Sequence, residues 1–142
     1  MNKTVKTVLI TVLVMTVLCC CVGAWVVFGP EIIRNIQMRP AHQVGDNFME
    51  SIQTGNYEDA LPLISDHIRQ EIHSAEDLPV YFGILKPIDV FDRGSSITST
   101  DRTKFSAAYH VTFTDQTEAT IWLEIIKYED IWRITGVKIQ DK

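Results

Sequence analysis

Phe105-Ser106-Ala107-Ala108-Tyr109-His110-Val111-Thr112-Phe113 is the stretch on which the fold turns. Its odd positions are apolar and its even positions mostly polar, the period of a strand with one buried face. After a turn at Asp115-Gln116, Ala119, Ile121, Leu123 and Ile125 repeat the pattern, and Glu129-Asp130 turns the chain into Ile131–Ile139. The three segments predict an antiparallel meander. In the last of them Trp132 and Ile134 share one parity while Val137 and Ile139 take the other, so a bulge at Gly136 is expected to bring all four to one face. Ile88–Thr100 supplies a fourth, less regular strand, interrupted at Arg93-Gly94.

N-terminal to the strands the period changes. Ala41, Val44, Phe48 and Ile52 recur at the spacing of one buried helical face, and Gly55 stands where a left-handed glycine ends a helix. Asn56 with Asp59 begins a second helix, whose buried face is Tyr57, Ala60, Leu61 and Ile64 and which Pro62 shortens. Ser65 is expected to cap a turn carrying Ile68 and Ile72, and Ser74 one toward Leu85 that Pro79 bends. Helices first and strands afterward define an α+β layer arrangement.

Upstream, Thr7–Phe28 runs roughly 22 residues without a charge, long enough to span a bilayer at ~1.5 Å of rise per residue. Residues 1–29 therefore read as a cytoplasmic N-terminus and transmembrane anchor, 30–40 as a juxtamembrane linker ended by Pro40, and 41–142 as one domain. Lys3, Lys6 and the terminal amine precede the run, so the positive-inside rule places the N-terminus in the cytoplasm and the domain outside the cell membrane. The rival is a cleaved signal peptide at Val22-Gly23-Ala24, against which Trp25-Val26-Val27-Phe28 prolongs the apolar run. Cys19, Cys20 and Cys21, all of the cysteines, lie within that run, so the domain has no disulfide of its own. Lipoprotein processing would use one of them, but Leu18 stands where a small residue is expected. Without Lys3 and Lys6, the 13 basic residues fall to 11 against 18 acidic, a net −7 that disfavours nucleic acid as a partner.

The turn Gln53-Thr54-Gly55-Asn56-Tyr57-Glu58-Asp59-Ala60 between helices, with the closing strand Ile131-Trp132-Arg133-Ile134, resembles the nuclear transport factor 2-like superfamily over roughly Ala41–Ile139. In particular the chain is similar to membrane-anchored bacterial members with one short extracytoplasmic domain. That resemblance implies a curved sheet wrapped around helices into a cone with a pocket, a scaffold that hosts isomerases, dehydratases, carriers and silent modules. Its enzymes resemble one another in placing an acid or histidine, often with a tyrosine, inside the cone. Here the inward parity offers Phe105, Tyr109, Phe113 and Leu123 as a pocket lining, with Tyr109 as the proton donor. Asp89 and Asp92, on the irregular strand, are the candidate acids for an isomerase or lyase, or else solvated edge charges. His110 belongs to the opposite face.

His67 and Glu71 are spaced i,i+4, with His73 beyond them, but two weak ligands on a polar face make no metal site, and no cofactor is expected. Nucleophile elbow, phosphate loop and paired cysteine ligands are missing from the sequence. The face opposite the core carries Trp122 and Ile126 beside His110, Thr112, Thr120 and Glu124, a contact surface unless a terminal segment or helix covers it. The expectation is a non-catalytic binding module for a protein partner, a second copy or a small apolar ligand.

Overall fold

The alternation of Phe105–Phe113 becomes a central strand because its odd side chains leave water together. The computed structural model describes residues 14–17, 38–99 and 103–142. The chain divides into two units at Arg39/Pro40. In the first, residues 14–17 are helical, with Val14, Met15 and Val17 about half exposed or more. The remainder of the apolar run lies outside the described residues, among which no helix is long and apolar enough to cross a membrane.

The second unit is α+β. Helix α1, helical at the described residues 38–54, belongs to this unit from Pro40 onward. Helical backbone therefore continues through Pro40, which was expected to end the linker, because proline forbids a donor and not the helical φ. Gly55, at φ 73°, closes the helix as its left-handed terminus requires. Then follow α2 (Tyr57–Ala60), a 3-10 turn at Leu61–Leu63 holding Pro62, α3 (Asp66–Glu71), a second 3-10 turn at Ala75–Asp77, and α4 (Leu78–Tyr81). Asn56 bonds Asp59 side chain to side chain, and Ser74 with Asp77 forms a complete capping box.

Strands β1 (Ile88–Thr98), β2 (Lys104–Phe113), β3 (Glu118–Tyr128) and β4 (Ile131–Asp141) form one open antiparallel sheet in the order β1-β2-β3-β4. The expected turns are tight, with Gln116 at φ 66° and Glu129 at φ 55°. In β4 the register shifts between Ile134, opposite Ile125, and Gly136, opposite Glu124, leaving Thr135 as the extra residue. The shift flips the parity: Trp132 and Ile134 are buried, and Val137 and Ile139 follow on the same face opposite Leu123 and Ile121. β1 is irregular at Ile88/Val90 and Arg93/Ser96, where Gly94 had suggested a break.

The core lies between one sheet face and the helices. Phe48 of α1 meets Phe82 edge to face, Ile125 approaches Gly45, and Ile64 bridges β4 at Ile134, where the Ser65 amide donates to the Ile134 carbonyl at 2.9 Å. Phe48, Ile64, Tyr109, Ile121, Leu123 and Ile125 are fully buried.

Candidate functional site

His42, Gly45 and Asp46 follow one another around a single turn of α1, on the side that meets the sheet. Tyr109 points inward from β2, and Arg93, its direct partner on β1, shares that face. The Tyr109 hydroxyl donates to Asp46 Oδ1 at 2.9 Å, and Arg93 Nη1 pairs with Asp46 Oδ2 at 3.0 Å. This close approach needs Gly45, since a Cβ there would lie 2.4 Å from Tyr109 Oη and 3.3 Å from Cζ. Phe91 supports the Tyr109 ring edge-on at 6.0 Å, and His42 stands edge-on to Phe105 at 4.6 Å.

Burial first, then the Asp46 charge and hydrogen bond, push the Tyr109 hydroxyl far above its ordinary range, so it stays a neutral donor. Burial lowers the pKa of His42, with Arg93 acting in the same direction and Asp46 opposing; its Nδ1 is buried without a hydrogen-bond partner. The pair is an acid and a tyrosine in contact, but both carboxylate oxygens are engaged and the phenol holds its proton tightly. It ties α1 to β1 and β2 and is poorly placed for proton transfer.

Tyr109 is thus brought to an acid, and the acid is Asp46. Asp92 lies opposite His110 and takes the outer parity, while Asp89 is the extra residue of a β1 irregularity; both are exposed. Phe105, Tyr109 and Leu123 are packed in the core, and Phe113 borders an open hollow of about 510 Å³ with Leu85 and Ile139. His67 Nε2 stands 3.5 Å from Glu71, and among the described residues no group of three or more metal-ligating side chains forms. Sequence reasoning missed His42, Asp46 and Arg93. The available signal was a glycine inside a helical period, where it costs ~1 kcal/mol unless something must come close.

The outer sheet face carries His110, which bonds Thr120 at 3.2 Å, and Trp122 and Ile126, which were expected to be exposed and are half-buried. Ala108, the direct partner of Trp122, is only 1% exposed, so the two shield each other across the strands. The same face continues to Tyr128 and Ile131, paired across the β3–β4 turn, and to Val90 and Ile97 on β1; all four are more than half exposed. Tyr128, Glu129, Ile131 and Arg133 line an open hollow of about 640 Å³ together with Asp66, His67 and Ile68 of α3.

No family model matches the chain, and no curated protein matches it. Among solved structures, it is similar to the intermembrane space region of the chloroplast protein ARC6, at 12% identity and a TM-score of 0.45, over 73% of this chain and 96% of that one.

Proposed function

We propose that this chain is a single-pass, N-in membrane protein displaying a nuclear transport factor 2-like domain that binds a protein partner through the outer face of its sheet, without catalysis. The observation that carries the reading is the row Trp122, Ile126, Tyr128 and Ile131 on the outer face of the sheet, whose last two members are more than half exposed where the face borders α3. Fully burying an exposed side chain of this kind gains ~1.5–3 kcal/mol before the costs of association, and these partly covered ones gain a fraction of that each. An interior filled by Phe105, Tyr109 and Leu123 argues for a scaffold and against a pocket for a small apolar ligand. The isomerase or lyase alternative needs a free carboxylate beside Tyr109, and Asp46 is engaged at both oxygens. The uncharged run Thr7–Phe28, helical and apolar where residues 14–17 are described, supports the anchor.

Trp122→Glu places a charge within this row. Expected is loss of binding to the protein partner with the circular dichroism spectrum unchanged; binding that survives the charge overturns the assignment of this face.

A further inference from the structure

Charged side chains around the Tyr128–Ile131 hollow are mostly spoken for. Arg69 pairs with Asp66 at 2.8 Å, Lys127 with Asp130 at 3.1 Å and Lys138 with Glu124 at 2.7 Å, and His67 Nε2 stands 3.5 Å from Glu71. Two lining residues remain. Among the described residues Glu129 has no ion pair, and half-buried Arg133 donates only to the neighbouring Trp132 carbonyl, at 3.3 Å. The two do not pair with each other within one chain: Glu129 occupies the turn at φ 55°, and Arg133 lies two residues beyond Ile131 on β4.

One unpaired charge of each sign beside exposed Tyr128 and Ile131 makes a self-complementary patch. In a two-fold contact residue i of one copy meets residue j of the other and the reverse, so a single Arg–Glu complementarity is satisfied twice. We infer that the occupant of this face is a second copy of the chain, docked by a two-fold axis near Tyr128 and Ile131, with Arg133 of each copy paired to Glu129 of the other. The inference rests on the proposed outer-face binding and names its partner. Anchoring both copies in one membrane would raise their effective concentration and favour a weak contact.

Sedimentation of the full chain in non-ionic detergent, over a concentration series, tests it. The wild type is expected to form dimers, and R133E or E129R alone to weaken them about tenfold, since each reversal turns two attractions into repulsions. Mixing R133E with E129R, or joining both changes in one chain, restores each opposite pair and is expected to recover the dimer. Circular dichroism on each variant excludes misfolding as the cause of weakening. Single losses without rescue, or dimers unaffected by either reversal, overturn the pairing. A wild type that stays monomeric overturns self-association; the binding-module reading then fails only if Trp122→Glu also leaves binding of a protein partner intact.

Discussion

Gly45→Ala inverts a rule that holds for most helices. Alanine in a helix interior is ordinarily ~1 kcal/mol more stable than glycine. Here the added Cβ would stand 2.4 Å from Tyr109 Oη, 3.3 Å from Cζ and 3.4 Å from Ile125 Cδ1. Tyr109 has nowhere to retreat, being fully buried with Phe91 against its ring. Overpacking of this kind costs ~1–3 kcal/mol, and a phenol pushed aside also forfeits a hydrogen bond to a carboxylate, worth ~1.5–3 kcal/mol. The Asp46 side chain is 41% exposed and keeps Arg93, so the bond counts at the low end. Offset by the helical gain, the net loss is about 2–3 kcal/mol, a large share of a small domain's stability. The assay is urea unfolding of the full chain in mild detergent, followed by tryptophan fluorescence. Tyr109→Phe alone should cost about 1–2 kcal/mol. In the double variant the clashing oxygen is gone and only the tight contacts to Cζ and Ile125 remain, so Gly45→Ala should cost less there than in the wild type. A single variant as stable as wild type, or two losses that simply add, would refute the latch.

Trp132, 5% exposed on the inner face, should cost ~3–5 kcal/mol when replaced by alanine, measured in the same unfolding assay. His42 is held below its ordinary value of 6.5 when folded, so the unfolded chain takes up its proton first as pH falls. Its share of stability is complete above about pH 6.5 and lost as pH drops toward the lowered folded value; His42→Leu should flatten that part of the stability–pH curve. Leu13→Lys should lower membrane retention in fractionation, a central lysine costing ~2.5–3.5 kcal/mol of insertion free energy.

Where physics acts locally, the sequence was sufficient. Alternation along β2 and β3 set which side chains face the helices, because neighbouring residues of a strand must face opposite ways. The parity change between Ile134 and Val137 placed the bulge to within one residue, and Gly55, Asp115-Gln116 and Glu129-Asp130 marked chain reversals that the backbone makes. The same alternation put His110 and Trp122 on the outer face. It did not give their exposure, which depends on the neighbouring strand: Ala108 stands beside Trp122 only through the β2–β3 register.

The tertiary structure alone chose the partner of Tyr109. Asp89 and Asp92 lie nearer in sequence, but irregular pairing in β1 turns Asp92 outward and Arg93 inward. Asp46, 63 positions away, reaches the phenol because α1 crosses β2 at a glycine. Strand period and turn chemistry are properties of consecutive residues and can be read along the chain. Which helix side chain meets which strand side chain depends on how two layers dock, and that is decided by packing around Gly45, where the absence of one methyl group lets the backbone come close enough for the hydrogen bond.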